Sequence, residues 1–313
     1  MSSKSPILVT GAAGNIGAVG RTIVEILRQR ELPVRAFVHR QDERSETLKA
    51  LGAEIVVGDL TSGDDIARAL EGCRRIYFGM SVSPPYLQAT VTAAAAVREI
   101  SDFEVFVNIS QMTVSQMSLR KMTSSPQHQQ HWLGEQALNW SGIPVVHVRA
   151  TVFMEHPFFS TFAAASIAEG GTIRLPFGSA RTSPIAAYDV ARVIATILEA
   201  PKSHIGKVYE LTGPRSQDMN AIAQEYTEAL SRPIKYDDVP FDQWRDRDLK
   251  NQNLPNHVYE HFLTMAKLHA DNRYDRLTED VLTVTGKPAM SIREFVTTHP
   301  DIFRKAAYER TRS

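Results

Sequence analysis

Ile7-Leu-Val-Thr10 runs directly into Gly11-Ala12-Ala13-Gly14-Asn15-Ile16-Gly17, and the residues that follow repeat apolar side chains at Val19, Ile23, Ile26 and Leu27. The first stretch is a continuous apolar run of strand length; the last has the 3.6-residue period of a helix. Between them the chain must turn sharply, and the new helix must lie close to the strand it leaves. Glycine meets both demands because it lacks a Cβ. The same geometry leaves backbone N–H groups unpaired at a helix N-terminus, where a pyrophosphate is well received. The spacing is G-x-x-G-x-x-G rather than the usual G-x-G-x-x-G, and glycines alone would fit any tight turn. The strand before and the helix after are what point to a dinucleotide. Its diphosphate is predicted to meet Gly11, Ala13, Gly14, Asn15, Ile16 and Gly17.

Outward from this turn, strand-like runs recur at residues 6–10, 34–38, 54–57, 75–78, 105–109 and 145–149. Helical patterns fill the gaps at 18–30, 42–51, 62–71, 86–100 and 127–140. Nearly unbroken apolar strands alternating with helices predict an α/β fold, a doubly wound parallel (Rossmann) sheet covered on both faces. After Arg149 the rhythm changes to an aromatic and small-residue stretch (153–168), a strand-like 172–175, a helix at 187–199 and a strand at 207–211. Helices then dominate, clearest at 219–230 and 257–269. The expected organisation is a nucleotide-binding domain over residues 1–150, with a returning segment at about 185–211. A smaller, mainly helical C-terminal lobe takes 151–184 and 212–313.

Composition narrows the function classes. Of 313 residues 43% are apolar, enough for a large core, and 35 Lys plus Arg balance 35 Asp plus Glu. A zero net charge is not the footprint of a protein held to nucleic acid by phosphate neutralisation. Cys73 is the sole cysteine, so no internal disulfide forms. No window reaches the roughly 18 apolar residues of a membrane span, and the first strand begins too early for a signal segment. The expectation is a cytoplasmic protein with a small apolar substrate and no nucleic acid or membrane partner, for which a homodimer is one open assembly.

The end of the second strand selects the cofactor. NAD needs a carboxylate there for the ribose 2′-OH. The sequence has His39-Arg40-Gln41 instead, and a guanidinium fork suits the 2′-phosphate of NADP(H). Asp59 and Leu60, after the third strand, are expected beside the adenine, although Asp59 also reads as a helix cap. Gly79, Met80 and Ser81 end the fourth strand, where a flat main chain can lie along the cofactor.

These residues resemble the NmrA-like family of atypical short-chain dehydrogenase/reductases, which includes NADPH-dependent quinone oxidoreductases and NADPH sensors. Beyond the glycine turn, the resemblance rests on Leu51-Gly-Ala-Glu-Ile-Val-Val-Gly-Asp-Leu60 and on Glu135, Ser141-Gly142 and Arg149. It continues through Phe153-Met154-Glu155, Ala187-Tyr188-Asp189-Val190-Ala191, Leu211-Thr212-Gly213-Pro214 and Thr285-Gly286-Lys287-Pro288. It implies the Rossmann fold and NADP(H). The related enzymes carry a Ser and a Tyr-x-x-x-Lys pair. Counting back from Glu135, the lysine place falls on His131 and the tyrosine place on Gln127, while Ser110 keeps the serine place. Gln127 cannot ionise and so cannot act as the general acid.

Ser110, Gln127 and His131 are therefore the candidate catalytic set, with Ser110, His131 and Phe153 also expected against the cofactor. His131 reads either as a proton donor or as a ribose-binding substitute for lysine. His128, three residues earlier, offers no metal site without a third ligand, so no metal is expected. Loops at the carboxyl ends of the strands should form the acceptor wall, with Tyr86, Gln111, Met112, Met154 and Phe158 as its expected surface. The resemblance leaves two functions open: a hydride-transferring reductase for a quinone, conjugated carbonyl, imine or activated alkene, and a non-catalytic NADP(H) redox sensor acting on a protein partner.

Overall fold

Side chains alternate along the central strands, and that alternation distributes the core between two layers. Ile7 and Val9 face one layer and Leu8 the other; Val105 and Val107 are divided from Phe106 in the same way. The computed structural model describes residues 5–14, 19–81, 83–252 and 254–303. Its strands are β1 (Ile7–Thr10), β2 (Val34–Val38), β3 (Glu54–Val57), β4 (Arg75–Phe78), β5 (Val105–Gln111), β6 (Val145–Ala150), β7 (Thr172–Leu175), β8 (Arg181–Thr182), β9 (Val208–Leu211), β10 (Gln217–Asp218) and β11 (Lys235–Asp238). Seven of them form one sheet in the order β3-β2-β1-β4-β5-β6-β9, every pair parallel. The chain winds outward from β1 to β3, then returns to β4 on the other side of β1. That reversal opens a crevice at the carboxyl ends of β1 and β4, where ligands of open α/β sheets bind.

Helices α1 (Val19–Gln29), α2 (Glu43–Ala50), α3 (Gly63–Leu70), α4 (Tyr86–Arg98), α5 (Pro126–Trp140), α6 (Thr161–Gly170) and α7 (Ala187–Glu199) connect or flank these strands. α1 and α7 cover one face of the sheet; α3, α4 and α5 cover the other. Their starts are set by short polar side chains. Asp42 caps α2 in a capping box with Ser45, Ser62 caps α3, and Ser125 caps α5 just before Pro126 at its first position. After β9 come α8 (Met219–Leu230), α9 (Phe241–Trp244), α10 (Asn256–Ala270), α11 (Asp280–Thr285) and α12 (Ile292–Thr298). α8, α9, α10 and α12 share a separate apolar cluster with α6 and β7, centred on Phe158, Phe159, Phe177, Tyr226, Trp244 and Phe295, while α11 packs on α7. No helix among the described residues is long and apolar enough to cross a membrane.

Several elements depart from the sequence reading, among them β5, β11 and the short antiparallel pair β8–β10. β5 runs on to Gln111, two residues past the expected end, because Ser110 and Gln111 keep pairing with Arg149 and Ala150. The loop expected after this strand, with Gln111 and Met112, is thus a strand end followed by a 3-10 turn at Met112–Gln116. β11 was not foreseen. Lys235-Tyr-Asp-Asp238 is polar and largely exposed, without the apolar signal of a strand, yet it pairs in parallel with β7.

Candidate cofactor and active site

The crevice between β1 and β4 is closed at its base by one side chain. Thr10 Oγ1 donates to the Gly79 carbonyl and accepts from the Gly79 N–H, both at 2.9 Å. Gly11 follows at φ 67°, and a Cβ there would stand 2.4 Å from the Gly79 oxygen, so both conformation and space demand glycine. Gly14 N–H donates to the Gly11 carbonyl at 3.0 Å and completes the turn. Close packing of α1 on this turn falls to Gly20, whose Cβ would lie 2.8 Å from Ala12 Cα. Gly20 was missed in the sequence, though it is the fourth glycine of a series at every third position. Asn15, Ile16 and Gly17 lie outside the described residues. Ala13 is half-buried against the core on the α1 side.

At the end of β2, His39 and Arg40 are exposed. Arg40 Nε lies 3.5 Å from Asp42 Oδ2, and the Arg44 guanidinium meets the same oxygen at 2.7 Å. Asp42 also accepts from the Arg44 and Ser45 N–H groups as the cap of α2. The Arg44 guanidinium holds its carboxyl down at about 2. Asp42 is committed to these bonds, and two guanidiniums gather at the end of β2; Arg44 was not anticipated. Asp59 accepts from the Thr61 N–H and hydroxyl, both at 2.8 Å, and these bonds, with a smaller contribution from His39, keep its carboxyl below the ordinary value. The cap of α3 is Ser62, so the capping alternative for Asp59 is corrected. Leu60 is half-buried beside it, and across the crevice Gly79 is buried, Met80 half-buried and Ser81 exposed.

The other end of the crevice is built from α4, α5 and the ends of β5 and β6. His131 is half-buried, its Nδ1 3.1 Å from Tyr86 Oη. Burial pushes His131 down to about 4, against the opposing pull of Glu135. At neutral pH it is an uncharged ring with one donor and one acceptor nitrogen. One turn below, Glu135 takes Arg149 in a two-point pair at 3.0 and 2.6 Å. Burial raises the Glu135 carboxyl, but Arg149, His147 and Ser110 more than offset this and leave it below its ordinary value. Arg149 also faces Glu210 at 3.6 Å. The family residues Glu135 and Arg149 are thus each other's partner under the site. Ser110 is buried against Glu135, and the Thr113 and Thr151 hydroxyls are buried near these strand ends without a hydrogen-bond partner among the described residues. Gln127 is half-buried in the first turn of α5.

His128 is fully buried, with Nδ1 2.9 Å from Thr123 Oγ1 and its ring 4.9 Å from that of His261 on α10. Its place is the seam between α5 and the C-terminal helices. Four of the five expected acceptor-wall residues are also buried. Phe158 is sealed among the rings of Phe162, Phe177, Trp244, Phe262 and His269, so it is a core residue and not a substrate surface. Met154 belongs to the same cluster, and Met112 and Tyr86 are 2% and 1% exposed. Gln111 is half-buried, as is Phe153, which bridges to Ile185.

The comparisons agree with this architecture. An azoreductase using NAD(P)H from Xenophilus azovorans is 26% identical over 304 residues, covering 96% of this chain and all of that protein. The NADPH-dependent quinone oxidoreductase of Escherichia coli, crystallised with NADPH, superposes with a TM-score of 0.79 at 18% identity, covering 93% of this chain and 99% of the other. NmrA, a negative transcriptional regulator crystallised with NAD, gives 0.78 at 16% identity over 97% of this chain and 98% of its own. The model of the NmrA-like family matches residues 3–295. With the Rossmann sheet, the glycine turn at its switch point and a family match over nearly its whole length, the chain belongs to the NmrA-like family.

Proposed function

We propose that this protein is an NADPH-dependent reductase that passes a hydride to a small, flat, apolar acceptor. A quinone or conjugated carbonyl comes first, an imine or activated alkene second. The observation that carries this reading is the cradle at Gly11, which any side chain would fill by running into the Gly79 carbonyl. Gly11, Ala13 and Gly14, with Asn15, Ile16 and Gly17, would hold the diphosphate. Arg40 and Arg44 would take the 2′-phosphate, with His39, Asp59 and Leu60 around the adenosine. Gly79, Met80 and Ser81 would line the cofactor's length, and Ser110, His131 and Phe153 its nicotinamide end. NADPH supplies the hydride. The chain's own task is to hold the ring, keep water from it and leave one face open to the acceptor.

His131, uncharged at neutral pH, suits a hydrogen bond to a ribose hydroxyl in the place of lysine. With Gln127 unable to ionise, no strong acid stands on α5. That favours acceptors whose reduced form needs no acid: a hydroquinone anion takes its proton from water, whereas a simple ketone requires a donor in the transition state. The segments 151–184 and 212–313 would cover the acceptor as a lobe. The rival function is redox sensing. The missing Tyr-x-x-x-Lys favours it, and so does the similarity to a transcriptional regulator.

Following NADPH absorbance against a panel of quinones, enones and cyclic imines separates the two. At least one quinone should accelerate NADPH loss well above the enzyme-free rate. If NADPH binds and no acceptor speeds its oxidation, the reductase reading fails, and association with a partner should then depend on NADP against NADPH.

A further inference from the structure

Tyr86 opens α4 and His131 lies in the second turn of α5, on two helices packed against each other over the same face of the sheet. The phenol is 1% exposed, with the ring of Phe78 edge-on at 6.2 Å. Its Oη is 3.1 Å from His131 Nδ1, and the two rings meet edge-on at 5.0 Å. One proton occupies that line, and it belongs either to the phenol or to the imidazole. Burial raises the phenol's pKa and keeps it protonated, while the imidazole is neutral. Thr90, one turn along α4, commits its own hydroxyl proton to the Tyr86 carbonyl at 2.9 Å.

If Nδ1 carried the proton, the phenolic O–H would have to turn off the 3.1 Å line toward the Thr90 hydroxyl, its other polar neighbour, with which no bond of ordinary length is formed. A buried O–H left so poorly paired costs about 1–3 kcal/mol. If the phenol donates, both groups are satisfied and the ring proton moves to Nε2. We infer that Tyr86 is a positioning residue: its O–H donates to Nδ1 and fixes His131 in the tautomer that carries its proton on Nε2. The ring then acts in one direction only, as an uncharged donor to an oxygen in the cleft. It would do for a ribose hydroxyl or an acceptor carbonyl what a lysine ammonium does, without the charge. Tyr86 is therefore part of the site through His131 and not as a wall against substrate. This inference rests on the proposed function only for the identity of that oxygen; the tautomer itself does not depend on it.

Two-bond proton–nitrogen correlation spectra of the ¹⁵N-labelled full chain at neutral pH read the tautomer directly, with His131 assigned by its absence in His131→Gln. The expected result is an acceptor-type Nδ1 and a protonated Nε2. Tyr86→Phe removes only the hydroxyl, so the His131 ring should then populate both tautomers and NADPH should bind about fivefold more weakly. A wild-type ring protonated on Nδ1, or nitrogen shifts unchanged in Tyr86→Phe, overturns the inference. Should the variant fail to fold, the wild-type spectrum still decides. If the tautomer is as expected and NADPH gives no heat of binding, the positioning role stands and the cofactor reading falls.

Discussion

The two ends of the crevice are built on opposite principles. At the β1–β4 end, space and backbone conformation do the work: Gly11 is pinned against Gly79, and Thr10 holds both strand ends with a single hydroxyl. Little there can titrate or repack. At the α5 end the site rests on packed imidazoles, with half-buried His131 against Tyr86, buried His128 against His261, and buried His269 stacked between Phe177 and Tyr274. A glycine cradle specifies a shape common to all dinucleotides. A packed set of neutral rings can be rearranged one residue at a time.

The largest expected effect follows from that contrast. Burial pushes His131 and His261 down to about 4 and His269 to about 3, and takes His128 and His156 well below their ordinary value. The folded state therefore binds fewer protons than the unfolded state between about pH 6.5 and 4, and stability falls as pH falls through that window. A ring held down as far as His269 removes about 2 kcal/mol by pH 5. Glu155 works the other way. Its carboxyl, raised by burial to about 7 while it accepts from Ala187 N–H, gains protons on folding and offsets about one of the five rings. The protein should melt roughly 10 °C lower at pH 5 than at pH 7.5. Hydrogen exchange should quicken along α5 and α10 before it does along β1 and β4. Uniform loss of protection at both ends would break the comparison.

The second effect belongs to the rigid end. Gly11→Ala places a Cβ on the Gly79 oxygen at a φ that L-residues disfavour by about 1–2 kcal/mol. Titration calorimetry should show NADPH binding weakened about a hundredfold, close to 2.8 kcal/mol. His131→Gln keeps a hydrogen-bond donor at the other end and should cost only a few fold. Equal losses in the two variants would mean that the ends contribute alike.

How legible each end was in the sequence follows the same division. The strand, turn and helix of the rigid end are adjacent in the chain, so local periodicity reveals them, and Gly20 could have been added from the spacing of the glycines alone. The α5 end is assembled from distant pieces. Tyr86 and His131 are 45 residues apart, and His261 meets its neighbours from α10. Aromatic residues after β6 look the same in sequence whether they face a ligand or a core. Phe158 was read as substrate wall although its neighbours Phe177, Trp244 and Phe262 come from three later segments that close around it. β11 was invisible because its pairing with β7 is made by backbone, while its side chains are polar and mostly solvated.

The smallest of these effects bears on the choice of cofactor. Arg40 is 73% exposed, and its recorded ion pair is the one with Asp42 at 3.5 Å. A 2′-phosphate brings a doubly charged acceptor to which a guanidinium fork binds more strongly than to a single carboxylate oxygen. Asp42 does not repel it in full, because Arg44 and the N–H groups at the start of α2 already neutralise that carboxylate. NADPH should therefore bind at least about tenfold more tightly than NADH, a difference of about 1.4 kcal/mol, and Arg40→Ala should remove most of it. Arg44→Ala should remove less of the preference and leave the start of α2 intact, since Asp42 Oδ1 accepts from the backbone N–H groups of residues 44 and 45 and not from the guanidinium. An exposed pair is screened by salt, so the preference should shrink as ionic strength rises from 0.02 to about 0.5 M. Equal dissociation constants for the two coenzymes at low salt would leave the rigid end indifferent to the phosphate and move selectivity to the histidine end.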